Sequence, residues 1–316
     1  MIKQDSTAKK VEGQDRVFKL FAERIQDYIE TKPAIDEVGV KAMIEKELAK
    51  SSVPRVIEVR TPDKTVKLKD RAHCQFEELL GMVNEGHQNL LMVGPAGSGK
   101  TMLARSLAEA LGRTFGFISL SAGISETHLF GRLLPQADGS WQYNPSQFVE
   151  IYEKGGVFLL DEIDAADANV MVAINAALAN GVLANPNGRI HHRHKDTIVI
   201  GAANTWGRGA DTQYVGRNQL DAATLDRFVL STVMVDYDTK LEKDLANAAL
   251  DAEKGGQLIR WVWDLRKSIT QHRLRRIAST RLVVNAIAAM KAGRTLDSVR
   301  QRYMLDWSDD EKAKLK

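Results

Sequence analysis

Residues 94–101 read GPAGSGKT, set between the apolar run NLLMV (89–93) and the stretch MLARSLAEAL (102–111). The pattern is G-x-x-x-x-G-K-[ST], with Gly94, Gly99, Lys100 and Thr101 at the fixed positions, and its flanks read as a buried strand and a helix. Glycines let successive backbone N–H groups converge on phosphate oxygens without side-chain clash. The helix that starts near Lys100 points the positive end of its dipole at the same anion. Lys100 adds a charge for the β- and γ-phosphates, and Thr101 brings a hydroxyl to where Mg²⁺ would bridge them. The expected nucleotide-binding set is Gly94, Pro95, Ala96, Gly97, Ser98, Gly99, Lys100, Thr101 and Met102, with ATP and Mg²⁺ as the ligands.

The stretch GGVFLLDEID (155–164) supplies the acidic half of such a site. Four apolar residues form a buried strand, and its C-terminal end, where ligands bind in parallel sheets, presents Asp161 and Glu162. Asp161 is expected to hold Mg²⁺ through water, while Glu162 orients and deprotonates the attacking water. Asp164 reads as the cap of the helix AADANVMVAINAAL (165–178). The strand TIVIGAAN (197–204) ends in Asn204, whose amide can contact water or a γ-phosphate, or simply shape a turn.

Working outward, strands and helices alternate between about residues 89 and 237. The strands are NLLMV, TFGFISL, GVFLLD, TIVIGAAN and LSTVMVDY, a pattern expected for a parallel sheet wrapped by helices. Val17 to Lys50 reads as helices broken at Pro33, and PRVIEVRTPDKTVKLK (54–69) as a hairpin leading to a helix over 75–86. After residue 238 the strand signals stop and amphipathic helices run to a charged tail. The divisions expected are 1–66 (helical segment and hairpin), 67–238 (nucleotide-binding core) and 239–316 (helical lid and tail).

With 316 residues, 44% of them hydrophobic, the chain is long enough to bury a genuine core. Forty-four Lys and Arg against 41 Asp and Glu leave +3, too near balance to imply nucleic acid or a membrane surface. One cysteine, Cys74, excludes an intrachain disulfide framework and a cysteine-rich zinc site. No run of about 18 uncharged apolar residues is present, so the expectation is a soluble, cytoplasmic protein.

Taken together, GPAGSGKT, FLLDEID, GAANT (201–205) and LDRF (225–228) resemble the AAA+ ATPases, and within them the MoxR-like and CobS-like branch, over roughly residues 70–295. The stretch GRGADTQYVGRNQLDAATLDRF (207–228) is similar to the segment between sensor 1 and the arginine finger in the ATPase subunit of cobaltochelatase. The resemblance implies an α/β fold: a P-loop αβα sandwich with a five-stranded parallel sheet, then a helical lid. It also implies a homo-oligomeric ring, hexameric in this family, with ATP between neighbouring subunits. It matches Asn204 to sensor 1, Arg227 to the arginine finger and Arg281 in ASTRLVV (278–284) to sensor 2. On residues alone, the alternative for Arg227 is a salt bridge with Asp226, and for Arg281 an exposed helix-start arginine.

Two hairpins fit the same resemblance. HLFGRLLPQADGSWQYNPSQF (128–148) turns at QADGSW, and GVLANPNGRIHHRH (181–194) turns at NPNG, both expected to face a pore. Trp141 and Tyr143 are candidates to touch a remodelled protein partner, or else form a packing face. His191, His192 and His194 read as a basic hairpin rather than a metal site, since neighbouring residues offer no completing ligand. His73 reads as bordering an adenine pocket or capping a helix. RKSITQHRLRR (266–276) reads as a solvated basic helix face. The D-x-S-x-S pattern of von Willebrand A domains is absent, so an adaptor of that kind would be a separate chain. The function expected is a Mg-dependent ATP hydrolase that couples ring-arranged turnover to remodelling of a protein. The alternatives are a metal-chelatase motor subunit, a nucleotide-gated scaffold and a nucleic-acid motor.

Overall fold

The side chains of a fully buried strand must find apolar partners on both faces, and the strands around the phosphate loop do so with period two. Leu90 and Met92 turn to one face of the sheet, Leu91 and Val93 to the other. This is seen in a computed structural model that describes residues 58–60, 65–67, 72–121, 123–184 and 188–315. Expectations for residues 1–57, including the helices over 17–50, lie outside these described residues. Val56–Lys316 forms one compact unit.

Before the sheet come the paired strands β1 (Glu58–Arg60) and β2 (Thr65–Lys67), antiparallel as the sequence suggests, and helix α1 (Phe76–Asn84). Five strands form the central sheet: β3 (Asn89–Val93), β4 (Phe115–Ser119), β7 (Gly156–Asp161), β10 (Thr197–Ala203) and β11 (Thr232–Met234). Their order is β11-β3-β10-β7-β4, and every pairing is parallel. The α/β expectation, with a five-stranded parallel sheet, therefore stands. β11 is only three residues long, whereas the apolar run suggests eight, because pairing with β3 stops at Val93 where the phosphate loop departs.

One face of the sheet carries α1 and α2 (Lys100–Ala110), packing Phe76, Leu79, Leu103 and Leu107 on the even side of β3. The other face carries α4 (Gln147–Lys154) and α5 (Ala168–Asn180), with Phe148, Tyr152, Ile174 and Ala177 on Phe158 and Leu160. Tyr152 is fully buried and its hydroxyl donates to the Ala177 carbonyl at 2.7 Å, which satisfies a polar tip inside an apolar layer.

Two antiparallel hairpins leave this sandwich, as their turn signals suggest. β5 (Arg132–Pro135) pairs with β6 (Trp141–Asn144) between the short helix α3 (Glu126–Phe130) and α4. β8 (Val182–Ala184) pairs with β9 (Ile190–His192) before β10. The two aromatics of the first hairpin divide: Trp141 is 66% exposed, while the Tyr143 hydroxyl donates to the Phe130 carbonyl. The histidines of the second hairpin disperse. His191 pairs with Glu153 of α4, and His194 Nδ1 accepts from the Asp196 N–H at 3.1 Å. Carboxylates thus do approach this cluster, Glu153 from α4 and Asp196 from two residues further along the chain.

After the short helix α6 (Ala222–Asp226) and β11 the chain is helical: α7 (Thr239–Ala249), α8 (Ala252–Gln271), α9 (Thr280–Lys291), α10 (Leu296–Tyr303) and α11 (Asp309–Ala313). Asp238, Asp251, Thr295 and Ser308 each accept a first-turn N–H, so four of the five start on a side-chain cap. The basic stretch 266–276 departs from the solvated face expected of it. Arg266 forks onto the wholly buried Glu242 of α7 at 2.6 and 2.7 Å, lies 4.0 Å over the Tyr237 ring, and donates to the Ala278 carbonyl. Arg276 grips Glu311 and Asp306, fastening α11 to the bundle and holding the Glu311 carboxyl down at about 2.

Removing one partner of a buried, hydrogen-bonded ion pair leaves the other charge uncompensated, at a cost of about 3–5 kcal/mol. Arg266→Ala is therefore expected to lower the unfolding free energy by that amount in denaturant titrations, and Arg266→Met with Glu242→Leu to recover most of it. A loss below about 1 kcal/mol in the single variant would show that the pair does not hold the bundle.

Candidate active site

At the C-terminal tips of β3, β7 and β10 lies a cleft of about 390 Å³ bordered by Ala96, Gly97, Gly99 to Met102, Asp161, Glu162 and Asn204, and by Thr280, Arg281 and Val284 of α9. A larger hollow, about 590 Å³, sits on the helical bundle around Trp261 and Met304 and contains none of the phosphate-loop residues. Chemistry rather than size picks out the first.

The loop's backbone demands all three of its glycines: Gly97, at φ +72°, would otherwise drive a Cβ to within 2.6 Å of the Ser279 Cβ at the start of α9. Gly99 has φ +106°, a left-handed conformation directly before the first turn of α2. At Gly94 a Cβ would stand 2.0 Å from the Val235 carbonyl oxygen, so only a bare Cα lets β3 pass into the loop against the end of β11. Gly94 and Pro95 stand behind the cleft wall and give their carbonyls to Lys100 Nζ at 2.7 and 3.0 Å. The same ammonium donates to Asn204 Oδ1 at 2.9 Å. Lys100 is only 7% exposed, and burial pushes its pKa down to about 8 against the opposing pull of Asp161, Asp164 and Glu162. Ser98 is buried in the loop, and its hydroxyl has no hydrogen-bond partner among the described residues.

Thr101 Oγ1 donates to Asp161 Oδ2 at 3.0 Å, bringing a hydroxyl and a carboxylate from the two motifs to one point. Hard oxygen donors beside a buried ammonium and a glycine cradle suit a magnesium-bound polyphosphate. Glu162 follows at φ +56°, ψ +40°, a left-handed position rarely taken by a residue with a side chain. Its Oε2 accepts from Ser119 Oγ at 3.2 Å.

Asp164 does not cap α5; Asp167 does, accepting from the Asn169 N–H at 2.9 Å. Asp164 instead lies wholly buried under the tip of β10, where its Oδ2 accepts from Asn204 N, Thr205 N and Thr205 Oγ1 at 3.1, 2.9 and 2.9 Å. That carboxylate fixes the turn from which the Asn204 side chain reaches Lys100.

The stretch 207–228 contributes side chains that sequence patterns leave without a role. Asp211 Oδ1 accepts from the N–H groups of Gln213 and Tyr214, and the resulting turn delivers the Tyr214 hydroxyl to the Ala96 N–H at 2.8 Å. The Tyr237 hydroxyl donates to the Ala96 carbonyl at 3.1 Å, so two phenols clasp the loop, and burial pushes both phenol pKa values up. The His73 Nδ1 accepts from Gln75 N just before α1, which starts without a side-chain cap, and its ring lies beside Gly99. Its Nε2 bonds the Asp236 carbonyl at 3.0 Å, and Cys74 N donates to Asp238 Oδ2, so the trio His73, Cys74 and Asp238 is occupied as a structural clasp.

Arg281 borders the cleft from α9, whereas Arg227 does not. The Arg227 guanidinium donates to the carbonyls of Asn175 and Ala223, and no ion pair with Asp226 forms.

Residues 89–228 match the family described as AAA domain (dynein-related subfamily). The chain carries an AAA domain. That domain is an ATPase domain, and the match spans β3, β4, β7 and β10 of the sheet, the phosphate loop and the 207–228 stretch. An uncharacterized protein of Staphylococcus saprophyticus is similar at 23% identity over 239 residues, 72% of this chain and 86% of the relative. Uncharacterized proteins of Staphylococcus haemolyticus and Staphylococcus aureus share 24% over 236 residues with the same coverage. A solved structure of a protein assigned as an ATPase from Cytophaga hutchinsonii aligns at 14% identity with a TM-score of 0.44, covering 74% of this chain and 81% of that one. Among the described residues, no helix is long and apolar enough to cross a membrane.

Because a methyl at residue 94 has only the Val235 backbone, just beyond β11, to displace, Gly94→Ala is expected to destabilise the AAA domain by about 1–3 kcal/mol and to weaken nucleotide binding with it. Denaturant midpoints and titration with a fluorescent ATP analogue measure both. An unchanged midpoint would mean the end of β11 yields freely.

Proposed function

We propose that this chain is a Mg-dependent ATP hydrolase of the MoxR-like and CobS-like branch, working as a homo-oligomeric ring of hexameric type that remodels a partner protein. One observation carries the hydrolytic part: the meeting of Lys100, Thr101, Asp161, Glu162 and Asn204 at a single cleft, from three separate strand tips. Lys100 and the loop N–H groups hold the phosphates. Thr101 and Asp161 hold Mg²⁺, which when bound neutralises charge on the phosphate oxygens. Glu162 takes the proton of the attacking water, Asn204 contacts the γ-phosphate, and Arg281 approaches it from the bundle.

Support for a ring comes from Arg227. It stands apart from its own cleft, two and three residues before Val229 and Leu230, which are 63% and 83% exposed, the latter with φ +60°. An arginine followed closely by exposed apolar side chains suits a face that docks on another copy and lends its cation to that copy's phosphates. Support for remodelling comes from the two hairpins, whose exposed Trp141 and Ile190 suit contact with a protein chain. A separate adaptor chain of the von Willebrand A type would fit the resemblance.

Glu162→Gln is expected to bind Mg·ATP with unchanged affinity and to lose on the order of 10²–10⁴ in turnover. Arg227→Ala should also lose turnover while keeping affinity. Mixing the two inactive variants should restore activity, since each site then gains a glutamate from one chain and an arginine from the next. Failure of the mixture to regain turnover would place Arg227 outside a shared site. Wild-type turnover no faster than that of Glu162→Gln would refute hydrolysis itself.

A further inference from the structure

Arg217 has no part in the reading above, yet among the described residues it is the cation ion-paired with Glu162. Its Nη2 donates to Glu162 Oε1 at 2.9 Å, and its Nη1 stands 3.5 Å from Asp164 Oδ1. The arginine side chain is 13% exposed, the glutamate 40%, and the aspartate not at all. Asp164 is immobilised by the three donors of the 204–205 turn, and the residue after Arg217 is nailed to the same segment. Asn218 N donates to the Asp164 carbonyl at 2.7 Å, and its Nδ2 donates to the Ala166 carbonyl at 2.9 Å. The guanidinium therefore connects a fixed carboxylate to a half-exposed one.

Glu162 needs such a connection. Its left-handed backbone is held only where surroundings over-determine it, and a carboxylate exposed to that degree has other rotamers open to it. Bonds to Arg217 on one oxygen and Ser119 on the other set the plane of the carboxylate at the cleft wall. A planar fork can span two carboxylates at once, which a lysine ammonium cannot do with the same geometry.

We propose that Arg217 is a positioning residue for hydrolysis, holding the Glu162 carboxylate in its working orientation by bridging it to buried Asp164. The proposal rests on Glu162 acting as the base that takes water's proton. A base fixed before the substrate arrives loses less freedom in the reactive geometry, so the effect falls on kcat rather than on affinity.

The test compares the full-length wild type with Arg217→Ala, Arg217→Met and Arg217→Lys, each alone and combined with Glu162→Gln, by steady-state ATP hydrolysis and titration with a fluorescent Mg·ATP analogue. Expected for Ala and Met is a fall in kcat of about 10- to 100-fold with KM and affinity within about threefold, and only partial recovery with Lys. In the Glu162→Gln background the same changes should cause no further loss, because the group they act through is gone. The proposal is overturned if kcat is unchanged or rises, if the loss sits in KM, or if the loss persists undiminished without the glutamate. Met keeps the bulk of the side chain, so it serves if Ala fails to fold. A wild type that turns over no faster than Glu162→Gln removes the hydrolytic reading and this one together. A clear wild-type advantage with unaffected Arg217 variants removes this one alone.

Discussion

The active site depends on one buried charge. Asp164 has no exposure to water, and an ionised carboxylate in such a place persists only when donors surround it. The donors it gathers are the first two N–H groups beyond β10 and a threonine hydroxyl, so the tips of β7 and β10 are joined by side chain as well as by the sheet. From that junction Asn204 reaches back to Lys100, and Lys100 in turn gathers two carbonyls of the phosphate loop. Phosphate loop, acidic strand end and amide strand end are therefore one hydrogen-bonded body.

Around that body the architecture follows from side-chain alternation. β3, β7 and β10 are central strands with helices on both faces, and each must be apolar throughout. That is why NLLMV, GVFLLD and TIVIGAA are conspicuous as uninterrupted runs, and why the parallel sheet is legible in the sequence. Both hairpins were legible for a related reason, since Asp-Gly and Asn-Gly type turns between extended residues leave little choice of connection. The phosphate loop was legible because its chemistry requires particular residues at particular intervals.

What escaped a linear reading is held by contacts between distant positions. Asp164 precedes a helix, as a capping aspartate does, and local pattern cannot distinguish it from Asp167 three residues on. The difference is that Asp164 faces residues 204 and 205 across the sheet. Tyr214 and Tyr237 find Ala96 at separations of more than a hundred residues, and nothing near either tyrosine hints at it. Arg217 lies within the stretch most specific to the family resemblance, yet its carboxylate partners come from the turn after β7. Likewise the basic run 266–276 looks like a wetted surface until Glu242 and Glu311 are brought against it by the packing of α7 and α11. Charge runs carry no record of which acids will face them.

The contact between Gly97 and the start of α9 has a mechanical meaning. A side chain at residue 97 would collide with Ser279, whose Cβ stands 2.6 Å from where the glycine's own Cβ would be built. The helical bundle thus rests on the phosphate loop backbone with no cushion of side chain between them. Any side chain added at residue 97 would therefore have to push back the start of a helix twelve residues long, and with it the bundle packed on that helix.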